Sequence, residues 1–244
     1  MRVSSWTQAL AIVAWTCGVS LAQESVKPAA AGQVIPVTTS TARAEAVLEG
    51  DVASWEQAQV KKVSLNRTPP LYETDKPATN EVPVVEVSSL RAAGKLYVHL
   101  AWRDSTRDAA ILQSAPDSPP ETRFLKTPTE ADDRFFDAAA IMVPLEQDGG
   151  LNPSLQMGDG NHPVRIYYWN SARGAMLMEA HGRGTTKRTG QTFPAKGTYQ
   201  SGRWMVTFEL PTQPAGTPVA FAVWNGSQED RDGRKYFSVW YVLE

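Results

Sequence analysis

Leu96 to Trp102 (LYVHLAW) decides the fold class of this chain. Side chains alternate along an extended strand, so Leu96, Val98, Leu100 and Trp102 share one face, and Tyr97, His99 and Ala101 take the other. Ala93-Gly94 supplies a turn, which makes Val82 to Trp102 a β-hairpin. Further strands are predicted over Ala138 to Leu145, Val164 to Trp169, Ala175 to His181, Gly197 to Gln200, Trp204 to Leu210, Val219 to Trp224 and Tyr236 to Leu243. Asp104-Ser105, Asp148-Gly149-Gly150, Ser201-Gly202 and Asp232-Gly233 break them with turn chemistry. Long helical periodicity and internal repeats are missing. Many short strands at fairly even spacing predict an all-β sandwich or barrel.

The two ends bound the compartment. Arg2 and the apolar run Ala9 to Val19, followed by Ser20-Leu21-Ala22, read as a signal peptide over residues 1–22, with cleavage before Gln23. The run is shorter than the roughly 20 residues a membrane span needs, so no membrane anchor is expected. No twin-arginine pair is present, which points to the general secretory route. Residues 23–32 (QESVKPAAAG) read as a flexible lead-in, and residues 33–244 as one domain in the periplasm. Cys17, the only cysteine, lies inside the signal. The exported chain therefore excludes disulfides, thiolate metal sites, iron–sulfur ligation and covalent c-type haem. A net charge of −2 with 20% charged residues gives no basic surface for nucleic acid.

Two segments exceed hairpin loops: Ser105 to Arg134, rich in Pro, Ser and acidic residues, and Glu146 to Pro163, containing QMGDGNHP. Long loops between strands are where sites are built. Phosphate-binding loops, His-Glu-x-x-His and Gly-x-Ser-x-Gly are absent, so no independent catalytic site is expected. His99 and His181 sit in strand patterns and read as structural. Asp132, Asp133 and Asp137 lie close together, and solvated loop or turn-cap roles outweigh an acid–base pair there. Trp55, Trp102, Trp169, Trp204, Trp224 and Trp240 lie in or beside strands, either as core or as stacking surfaces for a sugar or porphyrin. On residue type alone, Met157 is a loop-packing methionine and Lys235 a surface lysine.

The motifs occur in a recognisable order. LEGDVASW (Leu48 to Trp55), LYVHLAWRD (Leu96 to Asp104), DAAAIMVP (Asp137 to Pro144) and MGDGNHPVRIYYW (Met157 to Trp169) come first. GRGT (Gly182 to Thr185), GRW (Gly202 to Trp204), AFAVWNG (Ala220 to Gly226) and GRKYFSVW (Gly233 to Trp240) follow. This succession resembles the haem b-binding gamma subunits of the type II dimethyl sulfoxide reductase family, which serve molybdenum dehydrogenases and reductases. The resemblance runs from about Leu48 to the C-terminus. It implies an antiparallel β-sandwich related to family 9 carbohydrate-binding modules, with long ligand-binding loops and one non-covalent b-type haem near one end. The iron ligands it implies fall on Met157 and Lys235, with Ser238 and Trp240 completing the lysine motif. His162, five residues after Met157, is the rival ligand. The partners implied are an iron–sulfur beta subunit, a molybdopterin alpha subunit and a soluble c-type cytochrome. Arg183, Lys187 and Arg188 form a basic group that is a solvated loop, a haem-propionate neutraliser or a face for an acidic cytochrome. A secreted carbohydrate-binding module is the competing function.

Overall fold

The predicted hairpin forms: β5 (Val84–Ala92) and β6 (Lys95–Arg103) pair antiparallel around Ala93-Gly94. The computed structural model describes residues 33–69, 81–109, 135–146 and 152–244. The expected signal and lead-in, Asp132, Asp133, most of the Ser105–Arg134 loop and the start of the Glu146–Pro163 segment lie outside the described residues.

Two sheets form a β-sandwich. The six-stranded one runs β11 (Ala195–Tyr199), β12 (Arg203–Pro211), β6, β5 and β2 (Val37–Thr39), with β3 (Lys61–Ser64) also paired to β5. The nine-stranded one runs β1 (Val34–Ile35), β15 (Tyr241–Leu243), β13 (Pro218–Trp224), β7 (Ala138–Pro144), β8 (Val164–Asn170), β9 (Gly174–Ala180) and β10 (Lys187–Arg188). A short β14 (Tyr236–Phe237) joins β13 and carries β4 (Asn66–Arg67) on its other side.

The expected antiparallel sandwich is in fact mixed. β1 pairs parallel with β15 in one sheet, and β2 pairs parallel with β5 in the other. Between them stands Pro36, which has no N–H to continue a ladder, so the chain leaves one sheet and enters the next there.

Between the sheets, Leu96, Val98, Leu100 and Trp102 meet Ile141, Tyr167, Phe208 and Phe221 in one buried cluster. Trp204 stacks on Trp102 at 6.3 Å and meets Trp169 edge-on at 5.2 Å. Burying each such side chain stabilises the fold by roughly 1.5–3 kcal/mol. Gly197 is demanded by this packing, because a Cβ at that position would lie 2.1 Å from the Trp169 ring.

The other face of β6 is covered as well. Tyr97, Leu90 and Ala92 pack against α1 (Ala44–Leu48) and α2 (Val52–Trp55). The LEGDVASW motif is the joint between these helices. Asp51 caps α2 by accepting the Ser54 N–H, and the Trp55 indole donates to the Val47 carbonyl at 3.0 Å. Half-buried His99 pairs with Thr207 Oγ1 at 3.0 Å. Burial, helped by the Arg203 charge, lowers its pKa to about 4, so it is a neutral structural histidine.

The run Tyr236 to Leu243, expected as one strand, is two. Tyr236 faces the inter-sheet core, and so do Tyr241 and Leu243, so the facing parity slips by one residue between them. Ser238 absorbs the slip: its hydroxyl accepts the Phe221 N–H at 2.9 Å. The slip leaves Phe237 and Trp240 turned away from the inter-sheet core, and Trp240 anchors there by donating to the Pro153 carbonyl at 2.9 Å.

Candidate functional site

The outer face of the nine-stranded sheet is as apolar as its inner face, and small. Strand register places Phe237, Ala222, Ala140, Tyr168 and Met176 in one row across five strands. The next row holds Ala220, Met142, Ile166, Met178 and Arg188. Alanines at the centre leave volume above the sheet, and the flanking loops enclose it. The result is a cavity of about 1030 Å³. That is at the upper end for small-molecule and cofactor sites, which span roughly 300–1,000 Å³. A smaller apolar recess continues behind it, lined by Ala140, Ala220, Ala222, Met157 and Lys235.

Met157 and Lys235 meet at this cavity. Although 78 residues apart, the Lys235 Nζ lies 3.4 Å from the Met157 Sδ. Lys235 reaches the outer face by strand alternation, since Tyr236 after it points into the core. Its backbone is clamped too: the Thr68 N–H and hydroxyl both donate to its carbonyl, at 2.9 and 2.8 Å. One residue before Thr68, Arg67 makes a buried two-point pair with Asp230 at 2.7 and 2.5 Å. The lysine amine sits 5.3 Å from the Trp224 ring centroid. Burial lowers its pKa to about 8, with Asp232 opposing. The amine still carries its proton at neutral pH, but burial makes that proton easier for a metal to displace.

Met157 is held in a left-handed conformation, φ +74°, and Gly158 repeats it at +74°. For a residue with a side chain this costs roughly 1–2 kcal/mol, which the surrounding turn must offset. The Gly158 N–H donates to the Ser154 carbonyl at 2.8 Å and the Gly182 N–H donates to the Met157 carbonyl at 2.9 Å. Asp159 Oδ1 accepts the N–H groups of Asn161 and His162, both at 3.0 Å. Burial alone would raise this carboxyl, but those hydrogen bonds and the neighbouring imidazole hold it below the usual range. The turn thus over-determines the strained methionine and aims its thioether over the sheet.

The rival, His162, is turned into this knot: its Nδ1 lies 3.1 Å from Asp159 Oδ1, and it is absent from the cavity lining. Of the basic group, Arg183 and Arg188 line the cavity and Lys187 does not. Register explains the split, because Arg188 lies opposite Met178 on the outer face, whereas Lys187 lies opposite Glu179 on the other. Arg173 and Arg231 also line the cavity and were not singled out by sequence; each sits in a turn, where nothing marks the facing. Asp137 is structural: Oδ2 accepts the Asp108 N–H and the Trp204 indole, and Oδ1 accepts the Gly226 N–H, at 2.7, 2.8 and 2.9 Å. The resemblance implied a site near one end of the sandwich; this cavity lies over a sheet face instead.

The residues present suit a flat, amphiphilic metal cofactor. An apolar floor, a neutral sulfur and a buried amine converge within, and arginines stand at the rim. In the present contact the two donors touch, so a metal between them requires a rotamer change. The fold and cavity thus define a β-sandwich protein with a built cofactor-sized site over one sheet.

The ethylbenzene dehydrogenase family description matches residues 53–201, and the chain belongs to that family. The matched span includes Met157 and ends before Lys235. The chain is 34% identical over 172 residues to a Haloferax mediterranei protein named as a respiratory nitrate reductase haem subunit, covering 66% of this chain and 55% of that one. The chain thus spans about half of that relative. It is 24% identical over 245 residues to the chlorate reductase gamma subunit of Ideonella dechloratans, covering 93% and 94%. It is 27% identical over 215 residues to the dimethylsulfide dehydrogenase gamma subunit of Rhodovulum sulfidophilum, covering 78% and 71%. The resemblance to type II gamma subunits read from the ordered motifs is therefore shown.

Proposed function

We propose that this chain is an electron-transfer subunit that holds one non-covalent b-type haem, with Met157 and Lys235 as the axial iron ligands. The observation that carries the reading is the meeting of thioether and amine, 3.4 Å apart, in an apolar cavity large enough for a porphyrin. When bound, the haem would supply a one-electron ferric–ferrous couple. The chain supplies the rest. Met157 offers a neutral, soft donor that favours the reduced metal, Lys235 offers an amine whose proton burial makes easier to displace, and the alanine-floored sheet excludes water. The relay would run between the iron–sulfur subunit of a periplasmic molybdenum oxidoreductase and a soluble cytochrome, with residues 1–22 as the export signal. No helix among the described residues is long and apolar enough to cross a membrane.

The carbohydrate-binding reading loses its main support, because Trp102, Trp169 and Trp204 lie between the sheets. Trp224 is met edge-on by Tyr168 at 5.3 Å and sits under the lysine rather than forming an open platform.

The test is the visible spectrum, oxidised and reduced, of the exported full chain produced with haem available. A low-spin b-type spectrum is expected, and Met157→Ala and Lys235→Ala should each shift it and the potential. A haem-free protein would sink the function. Unchanged spectra in both variants would sink the ligands and leave the haem.

A further inference from the structure

We infer that Arg183 and Arg188 form a carboxylate-binding rim that receives the two propionate groups of the tetrapyrrole and so sets its orientation in the cavity. This rests on the haem reading above and adds to it the side of the cavity at which the charged edge of the ligand lies.

The cavity is asymmetric in charge. On the side built from residues 166–188 the lining includes Arg173, Arg183 and Arg188 and no carboxylate. The opposite side contributes Arg231 and Lys235 with Asp230 and Asp232. Those acids offset the cations on their own side. Asp230 is sealed against Arg67, with its side chain 0% exposed, and Asp232 acts on Lys235. Arg231 already lies 5.4 Å from the Phe135 ring centroid. A dianionic ligand edge therefore finds its uncancelled positive charge at the β9–β10 edge.

The geometry of that edge is built. Arg188 ends the row Ile166–Met178–Arg188, so its stem continues the apolar floor and its guanidinium stands where the floor meets solvent. Asp232, Arg173 and Arg188 all act electrostatically on the Tyr168 phenol, which places two cations along that strip with one carboxylate in reach of it. Arg183 sits in a turn closed by the Thr185 hydroxyl, which accepts the His181 N–H at 2.8 Å and donates to the Gly182 carbonyl at 2.7 Å. That turn is stitched to the ligand loop by the Gly182 N–H on the Met157 carbonyl at 2.9 Å. Planar guanidinium groups match carboxylates in paired hydrogen bonds, which a lysine does not. Glu179 is no competitor, because it faces the other side and pairs with Arg165 at 2.7 Å.

The experiment is a chemical double-mutant cycle on the haem-extracted full chain, titrated with haem b and with its dimethyl ester, in which both carboxylates are blocked. Wild type, Arg183→Gln, Arg188→Gln, the double variant and Lys187→Gln are compared. Each arginine variant is expected to weaken haem binding roughly tenfold, with the low-spin spectrum kept, because a charge-assisted hydrogen bond is lost while the axial ligands are not. The ester should bind wild type and double variant alike, and Lys187→Gln should match wild type with both ligands. The reduction potential should also fall in the arginine variants, since a positive charge that stabilises the reduced site is removed. Equal losses for haem and ester would show the arginines to be structural. No loss for either ligand would place the carboxylates elsewhere and leave the rim to an acidic protein partner. Both results overturn the proposal. A wild type that takes up neither porphyrin would instead overturn the haem reading on which it rests.

Discussion

Replacing Arg67 by alanine tests whether the segment carrying Lys235 is held by a buried ion pair. Arg67 donates to both oxygens of Asp230, at 2.7 and 2.5 Å, with side chains only 8% and 0% exposed. Its guanidinium also lies 4.5 Å from the Tyr236 ring centroid, directly after the lysine. Removing one partner of such a pair costs roughly 3–5 kcal/mol, because the other charge stays buried. Asp230 keeps the Asn225 N–H at 3.0 Å and Arg234 at 3.6 Å, so about 3 kcal/mol is expected, a large share of a typical domain's stability. Burial already pushes the Asp230 carboxyl above its ordinary range even with Arg67 beside it. Without Arg67 it must rise further. A carboxyl raised in the folded state contributes stability that is present at low pH and lost as pH rises through the folded value. The deficit of Arg67→Ala should therefore be largest near about pH 8 and shrink toward about pH 5. Urea unfolding at both pH values measures it. A deficit under about 1 kcal/mol near pH 8, or one indifferent to pH, would refute the reasoning.

Gly158→Ala should cost roughly 2–4 kcal/mol, from left-handed strain plus overpacking, and should abolish the spectral contribution of Met157. Its Cβ would lie 2.7 Å from the His162 carbonyl, backbone that cannot swing aside, so a thermal midpoint equal to wild type would contradict the turn described. A second expectation concerns Asp104 and Asp137. Burial, then the neighbouring Asp104 charge, pushes Asp137 up to about 7, and burial raises Asp104 as well. The folded chain thus binds a proton more tightly than the unfolded one, and this contribution to stability falls as pH rises through about 7. His99 and Lys235 titrate with the opposite sign in both proteins, so the check is a difference: lowering pH from about 8 to about 6 should favour wild type over Asp104→Asn, and an equal slope in the two would overturn the coupling.

Much of the sandwich was legible because alternation is a strong signal when strands are long. The seven-residue runs Ala138–Pro144, Val164–Asn170 and Pro218–Trp224 lie where pattern and turn residues placed them, to within a residue or so. The helices over Ala44–Leu48 and Val52–Trp55 were not legible. At five and four residues they are below the length at which helix periodicity or intrinsic stability registers. They persist through tertiary contacts, chiefly the packing of Val47, Leu48 and Trp55 with Leu90, Ala92 and Tyr97. The slip at Ser238 was hidden for a related reason: GRKYFSVW is β-rich on both faces, so the pattern carries no mark of the residue at which facing reverses.

The site was half legible, and the half that was missed explains its position. Met157 and Lys235 could be named by resemblance, yet their own residue types read as loop packing and surface charge. What joins them is the outer face of the nine-stranded sheet, where apolar residues alternate with an equally apolar inner set. A strand buried on both faces does not announce which side holds the core and which a cavity. The alanines were the available clue. Ala138, Ala140, Ala220 and Ala222 place the smallest side chains at the centre of a face that would otherwise be filled. A floor of alanine under loops holding a strained methionine and a buried lysine makes poor sense as packing alone, since it forfeits contacts that larger side chains would make. It makes sense if another body completes the packing. Loops at the end of a sandwich could hold the same two donors, but a sheet face adds a rigid apolar plane as a floor. The ligand turn and the lysine segment are both hydrogen-bonded into place above that plane, so much of the ordering cost of binding is met by the fold itself.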